Sequence, residues 1–419
     1  MLVRTQPCPA CFTEKEVPMN LDHVSCASPL LPPLEEFEGR QARLDAALES
    51  VDAALFFSAR SIFYLTGCAL SQTERPVVLI HIPGKENLLF VPRMEREHVE
   101  LTVKGCQVVC YEEYPGEIHP MLQLGALLEA LAVSWVAADA GGYASSWGYR
   151  GPPLSQVLPG LRLTQIPYLV PTLRQIKSPF EMTLMQESSK WSNLAHVLLK
   201  KYTRPGLGEI EICQRASSEA ASLMLAAFGP HYCMSGMDRD GVRAVFRGQV
   251  GKNAALPHAV VINAACQLGD GIVTGTNAYI QGYFTEMERV LFVGEPSPEQ
   301  IRYYELALEA QQTALSVIKP GVRCSEVDRE MRRFYRENGI EDLWRHHTGH
   351  AIGTEGHELP FFDIGDDTLL QPGMCMTVEP GLYVEGVGGF RVSDTLHITE
   401  TGLEQLTYFP KDIASIVCV

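Results

Sequence analysis

The sequence predicts an α/β (α+β) chain built from two domains behind a short tail. Strand-like apolar runs alternate with helical patterns through the first half, and a capped helix marks a boundary near the middle. The opening residues show no period and contain the breaker run PLLPPLEE. We therefore expect a poorly ordered tail over residues 1–35, a mixed-sheet domain over 36–172 and a second domain over 173–419.

In the first domain, the spacing of apolar residues predicts the elements. Phe37, Leu44 and Leu48 recur at helical spacing and indicate a helix over 36–50. Strand candidates follow as DAALFF, PVVLIHI, NLLFV, CQVVCY and SWVAAD, with a helix expected over about 122–132. Strands that alternate with helices are typical of a mixed α/β sheet.

The second domain begins with a helix whose N-terminal capping motif can be recognised in the sequence. Ser178 is placed as its N-cap, Pro179 at its first position and Glu181 three residues past the cap. Further elements are expected as a helix ending at Gly229, strands at VRAVF, HAVVIN, GIVTG, MCMTVEPGLYV, GGFRVSDTLHIT and LTYF, and helices over about 298–318 and from Ser325.

Composition excludes several classes of function. The formal net charge of -16 argues against nucleic acid as a partner, because phosphate binding needs clustered Lys and Arg. No apolar run reaches the roughly 18 residues that span a bilayer, and the N-terminus lacks a secretory pattern, so we expect a cytoplasmic protein without a membrane partner. Twelve scattered cysteines indicate reduced thiols, and the Cys8–Cys11 pair in CPAC is interpreted as incidental.

Residues with acid–base or ligand-binding chemistry gather in four clusters of the second domain. These clusters are His258 in LPHAVV; Glu286, Glu288 and Arg289 in TEMERVLFVG; His346, His347, His350, His357 and Glu358 in HHTGHAIGTEGHELP; and Glu379, Arg391 and Asp394 in TVEPGLYVEGVGGFRVSD. Their order, GH-x-IG, H-E-x-P, VEPG-x-Y and G-x-R, resembles the creatinase/prolidase ("pita-bread") family from about residue 36 to the C-terminus. The resemblance implies a creatinase-like N-terminal domain, a pita-bread catalytic domain, hydrolase activity and a homodimer.

In the peptidases of that family, five side chains bind two divalent metals. Aligned on the GY dipeptide, the family pattern places Gly275 and Glu286 at the two Asp positions. His350 and Glu379 stand at the His and first Glu positions, and Ser393 stands at the second Glu position. Two of the five ligands are thus absent, and one is lengthened from Asp to Glu.

Three ligands cannot hold two ions roughly 3.5–4 Å apart, so we expect no metal cofactor. A His and two carboxylates would still suit one zinc, manganese or iron ion. If one ion is bound, its ligands are expected to be Glu286, His350 and Glu379.

The site pattern resembles most closely the metal-independent members, which are the creatinase-like and ectoine-hydrolase-like proteins. Creatinase keeps a His at the position of His258, and Glu at those of Glu288 and Glu379. This resemblance favours hydrolysis of a C–N bond in a small amidine, guanidine or amide. The substrate is then expected to be cationic or zwitterionic.

In this hypothesis, Glu288 and Glu379 bind the cationic group through charge-assisted hydrogen bonds. His258 moves a proton between the attacking water and the leaving nitrogen. The catalytic residues are therefore predicted as His258, Glu288 and Glu379, and the substrate-binding residues as His350, His357, Arg391 and Glu286.

Two other functions stay open. One is an Xaa-Pro dipeptidase or aminopeptidase with a single metal, because GHAIG, HELP and VEPGLY are similar to prolidase segments. The other is an inactive pita-bread binding module, against which the retained polar residues of the pocket argue.

Overall fold

The computed structural model describes residues 30–48, 50–143, 151–228 and 241–419. Most of the predicted tail over 1–35, the Cys8–Cys11 pair and the helix end at Gly229 lie outside the described residues. The last two residues of the predicted tail already belong to the first helix. No helix among the described residues is long and apolar enough to cross a bilayer.

The first part of the chain folds as the predicted mixed sheet with helices. Its elements are α1 (Leu34–Ala47), β1 (Ala53–Phe56), α2 (Ala59–Thr66), β2 (Val78–His81), β3 (Asn87–Pro92), α3 (Arg96–Thr102), β4 (Cys106–Tyr111), α4 (Pro120–Ala130), β5 (Trp135–Ala138), α5 (Leu154–Val157), β6 (Arg162–Gln165) and α6 (Leu169–Leu173). The strand order of the described sheet is β4-β3-β2-β1-β5-β6. β2 pairs antiparallel with β1 and β3, whereas β5 runs parallel to β1.

The continuous apolar run of β1 has a simple physical reason. Ala53 and Leu55 face one apolar core, whereas Ala54 and Phe56 face the core on the other side of the sheet. Because alternate residues of a strand point to opposite faces, a strand that is covered on both faces needs apolar residues at every position.

The second part of the chain forms further sheets around one large core. Its elements are α7 (Pro179–Tyr202), α8 (Glu209–Phe228), β7 (Val242–Val245), β8 (Gly271–Ala278), β9 (Met287–Val293), α9 (Pro298–Val317), α10 (Cys324–Glu337), β10 (Gly349–Ala351), β11 (Glu358–Phe362), β12 (Cys375–Val378), β13 (Gly381–Val384), β14 (Gly388–Arg391), β15 (Asp394–Ile398), β16 (Leu403–Gln405), α11 (Ile413–Ile416) and β17 (Val417–Cys418). The described strands are ordered β17-β9-β8-β7, β11-β10-β12-β15-β16 and β13-β14.

The start of α7 confirms the predicted capping box. The Glu181 amide donates to Ser178 Oγ at 3.1 Å, and the Ser178 amide donates to Glu181 Oε2 at 2.7 Å. Pro179 occupies the first helical position, where its missing N–H leaves no hydrogen bond unmade.

Two predictions of local structure are wrong. The HAVVIN segment forms no strand; Val260 and Ile262 are 78% and 64% exposed there. The LTYF segment lies after β16 rather than in a strand. An apolar run does not reveal whether a neighbouring edge is free to pair with it.

Buried ions join the two parts of the chain. Arg40 of α1 donates to the Tyr64 carbonyl at 2.9 Å and lies 3.3 Å from Glu181 of α7. The Tyr283 hydroxyl, 3.2 Å from the Arg40 guanidinium, donates to the same Glu181 carboxylate. Arg40 and Glu181 are 2% and 1% exposed, so each stabilises a charge that would otherwise be buried alone.

A second ionic cluster surrounds Glu358, which stands in the same sequence cluster as His350 and His357. Its carboxylate lies 3.2 Å from Lys177 and 3.3 Å from Arg174, and it accepts the Thr354 amide at 2.9 Å. Glu358 is therefore a structural residue at the junction next to α7.

Candidate active site

Strand β9 and the turn before β15 bring the first carboxylates together. Glu288 lies within β9, and its amide and carbonyl pair with those of Ser393 at 3.1 Å each. Glu286 lies two residues earlier on the chain, and its carboxylate accepts a hydrogen bond from Ser393 Oγ at 3.2 Å. The predicted neighbourhood of the TEMER and FRVSD segments is thus present.

His350 on β10 and Glu379 after β12 complete a compact group with Glu286. A ligand atom from each of the three lies within 4.8 Å of the others. His350 Nδ1 donates to the Ala351 carbonyl at 3.0 Å, which directs Nε2 toward the carboxylates. Nε2 is buried 3.2 Å from Glu379 Oε1, yet it makes no well-aligned hydrogen bond among the described residues. This orphaned nitrogen between two carboxylates fits one divalent metal.

The same residues do not fit a second metal. Gly275 has no ligand atom, and Ser393 uses its hydroxyl to donate to Glu286. A Cβ placed at Gly275 would make ordinary van der Waals contacts, at 3.5 Å from Val245 and 3.7 Å from Glu288 Oε1.

Two guanidinium groups meet the Glu288 carboxylate. Arg391 reaches both carboxylate oxygens, with Nη2 2.8 Å from Oε1, and Arg247 donates to Oε1 from the other side. Arg391 is 3% exposed and was predicted; Arg247 was not predicted, because a single Arg in FRGQVG carries no recognisable motif.

A hydrogen-bonded chain holds Arg391 in place. Arg391 Nη1 donates to the Tyr383 hydroxyl at 2.9 Å, and Tyr383 lies 2.8 Å from His346 Nε2. His346 Nδ1 donates to the His347 carbonyl at 2.8 Å, because a carbonyl can only accept. In the neutral imidazole Nε2 is then the acceptor, so the Tyr383 hydroxyl donates its proton to it. Burial lowers the pKa of His346 to about 4, which keeps it neutral as this chain requires.

The imidazoles beside the carboxylates differ in charge. Burial disfavours the charged form of His350, but Glu379 and Glu286 outweigh it and raise its pKa to about 9. His357 stacks on His350 with ring centroids 4.0 Å apart, and burial together with that neighbour lowers its pKa. His258 is exposed in the HAVVIN segment and lies close enough to His357 to contribute to this shift.

The carboxyl groups of Glu286 and Glu379 also differ in the direction of their pKa shifts. Burial and the charge of Glu379 raise the pKa of Glu286. Burial acts in the same direction on Glu379, but His350 and Arg391 hold the pKa of Glu379 well below its ordinary range. Glu286 is therefore the carboxyl of the pair that takes up a proton more readily.

The structure thus collects most of the predicted site residues. Glu286, Glu288, His350, Glu379 and Arg391 meet directly, and His357 joins them by stacking on His350. Arg289 and Asp394, quoted with these clusters, instead form a fully buried ion pair at 2.7 Å behind the site.

Comparison with known proteins places the chain in a family. The model of metallopeptidase family M24 matches residues 183–400, just over half of the chain. The chain belongs to metallopeptidase family M24. The creatinase/prolidase N-terminal domain matches residues 40–176 of this M24 member, so the predicted creatinase/prolidase family and its two kinds of domain are confirmed.

Individual relatives are similar over nearly their whole length. The uncharacterized peptidase YqhT of Bacillus subtilis is 27% identical, over 87% of this chain and 95% of the relative. The Xaa-Pro dipeptidase from Bacillus anthracis superposes with a TM-score of 0.74 at 25% identity, covering 92% of this chain and 99% of that one. The X-Pro aminopeptidase from Thermotoga maritima MSB8 gives a TM-score of 0.72 at 25% identity, with 89% and 99% covered. The M24 chain is accordingly a prolidase-like hydrolase.

Proposed function

We propose that this M24 member hydrolyses the C–N bond of a small peptide or related amide at a centre with at most one divalent metal. The observation that carries the proposal is the convergence of Glu286, His350 and Glu379 within 4.8 Å beside the Arg-bound Glu288. Three ligand atoms suit one ion, whereas Gly275 offers no ligand atom for a second.

The chain's own residues have defined tasks in this proposal. Glu286, His350 and Glu379 would hold a zinc, manganese or iron ion, which supplies Lewis acidity toward a carbonyl oxygen when bound. Arg391 keeps Glu288 fixed through two hydrogen bonds. The imidazoles of His357 and of the exposed His258 are the groups at the pocket able to accept and return a proton.

The substrate class comes from similarity. The dipeptidase from Bacillus anthracis and the aminopeptidase from Thermotoga maritima are named for Xaa-Pro peptides. Xaa-Pro dipeptides and tripeptides are therefore the first substrates to test. Such peptides are zwitterions, which agrees with one of the two substrate charges predicted from the sequence.

A second candidate function is metal-independent hydrolysis of an amidine or guanidine. It is favoured by Glu288, whose carboxylate receives two guanidinium groups at once. A cationic substrate would have to displace Arg247 from that carboxylate. Arg247 and Arg391 already bring two positive charges to Glu288, so this carboxylate does not need a cationic substrate to balance its charge.

Metal content separates the two candidates. We expect one metal per chain, by elemental analysis, after manganese, zinc or iron is added and the protein is desalted. Glu286→Gln should lower this content to near zero because a neutral amide replaces a charged ligand, whereas Glu404→Gln, an exposed control, should leave it unchanged.

The other outcomes are equally clear. A wild-type content near zero, together with hydrolysis of a guanidine or amidine, would favour the second candidate. Two metals per chain would contradict the proposed limit of one. Hydrolysis of Xaa-Pro peptides by the metal-loaded wild type, and its loss in Glu286→Gln, would support the first.

A further inference from the structure

The strands that carry Glu379 and Ser393 part for a few residues at the candidate site. β12 pairs with β15 as far as Val378, and pairing resumes in β13 and β14. Between these two stretches, the Glu379 amide donates to the Thr348 carbonyl at 2.9 Å, and Ser393 exchanges two backbone hydrogen bonds with Glu288 at 3.1 Å each. Two backbone segments that turn toward different partners therefore have to be held at a fixed distance for the site to keep its shape.

The side chain of Gln311, on α9, joins these two segments from behind. Its Nε2 donates to the Val378 carbonyl at 3.1 Å and to the Val392 carbonyl at 2.9 Å. Val378 directly precedes Glu379 in the chain, and Val392 directly precedes Ser393. Gln311 is fully buried, so one carboxamide holds both segments at a place where water cannot easily replace it.

The orientation of this carboxamide is fixed by its neighbours. Lys411 Nζ lies 2.7 Å from Gln311 Oε1 and can only donate, so Oε1 is the acceptor and Nε2 faces the carbonyls. Nε2 also lies 3.0 Å from Asp394 Oδ2, which gives its two N–H bonds three acceptors. Turning the carboxamide away would leave several buried polar groups without a partner, which is costly in free energy.

We propose that Gln311 is a positioning residue for the three candidate metal ligands. It sets the distance between the segment of Glu379 and that of Ser393, whose hydroxyl donates to the Glu286 carboxylate at 3.2 Å. Since His350 Nε2 lies 3.2 Å from Glu379 Oε1, a shift of either segment changes the spacing of the ligand atoms. This inference rests on the proposed function, in which the three ligands hold one metal, and it adds the residue that keeps them at the right spacing.

Metal affinity tests the proposal in Gln311→Met, which keeps a side chain of similar length but removes the carboxamide. Gln300→Met is the matched control, because Gln300 is a buried glutamine of the same helix whose Nε2 donates to the Gly269 carbonyl at 2.8 Å, outside the site. Dissociation constants for Zn²⁺ are measured by isothermal titration calorimetry, after circular dichroism has shown that each variant is folded. We expect Gln311→Met to bind Zn²⁺ roughly 10–100-fold more weakly than the wild type, as on removal of a group that orients a metal ligand, and Gln300→Met to bind it like the wild type.

Crystal structures of the metal-free proteins give a second readout that does not depend on metal binding. The distance between the Cα atoms of Glu379 and Ser393 should change by more than about 0.5 Å in Gln311→Met, which is the precision that such a site requires, and stay unchanged in Gln300→Met. Gln311→Asn, whose amide is one methylene too short to reach both carbonyls, replaces Gln311→Met in both measurements if that variant does not fold.

The two readouts separate the role of Gln311 from the proposed function. Wild-type affinity for Zn²⁺ in the Gln311 variant, or an equal loss in the Gln300 control, would overturn the positioning role. A wild type that binds no Zn²⁺ would contradict the proposed metal centre, and the crystal structures would then decide the role of Gln311: an unchanged distance between Glu379 and Ser393 would overturn it, and a changed one would support it.

Discussion

Replacing Tyr383 with Phe removes one hydroxyl that joins two buried groups. Arg391 Nη1 at 2.9 Å and His346 Nε2 at 2.8 Å would both lose their partner, while the ring itself would still pack. Tyr383 is 2% exposed, so water cannot easily replace the hydroxyl. A buried polar group without a partner costs about 1–3 kcal/mol, so the two together predict a loss of about 2–6 kcal/mol in the free energy of unfolding.

Urea unfolding followed by tryptophan fluorescence measures this loss. Tyr408→Phe is the control, because Tyr408 is 56% exposed and makes no hydrogen bond among the described residues. It should change the free energy of unfolding by less than about 0.5 kcal/mol. If Tyr383→Phe is as stable as that control, the chain from Arg391 to His346 does not hold the site as described.

Two further predictions concern the buried ions. Arg289→Met should lower the free energy of unfolding by about 3–5 kcal/mol in the same assay, because Asp394 would lose one of its two cationic partners and three buried carbonyls would lose the donor that Arg289 supplies; a loss below about 1 kcal/mol would contradict this. Burial alone would raise the pKa of Glu358, but Lys177 and Arg174 hold it below its ordinary value. Its stabilisation is therefore complete above the unfolded pKa of about 4.3 and is lost as the pH falls through the lower folded pKa. Urea midpoints at pH 7, 4 and 3 should show the wild type losing its advantage over Glu358→Gln toward low pH, and parallel curves would refute this assignment.

Much of the fold follows from local sequence patterns. The apolar run of β1 and the Ser178–Glu181 capping box are decided by residues close together in the chain, and both are confirmed. The conformation of the segment around Val260 is not decided by neighbouring residues. It depends on the turn at Gly248, against which the backbone of this segment packs. No pattern within HAVVIN reveals that contact.

The candidate site likewise contains some residues that the sequence predicted and others that it did not. Motif spacing was enough to bring Glu286, His350 and Glu379 together. Arg247 was missed because it reaches Glu288 from another strand end and through a left-handed turn. The role of Tyr383 was missed because a hydroxyl that accepts from Arg391 and donates to His346 is visible only in three dimensions.

Several expectations stay predictions. They include the domain limits 1–35, 36–172 and 173–419, the catalytic and substrate-binding roles of the site residues, the homodimer, and the cytoplasmic location. Size-exclusion chromatography with light scattering would test the homodimer directly.

The Arg40–Glu181 pair limits how this chain can be divided or recombined. A fragment that begins at residue 173 would keep Glu181 and Tyr283 but lose the cation that lies between them in the complete protein. A chimaera that takes its first half from a relative would succeed only if the relative supplies a cation at the position of Arg40. The part of the chain that holds Arg40 and the part that holds Glu181 are thus expected to be inherited together and not to be exchanged separately between relatives.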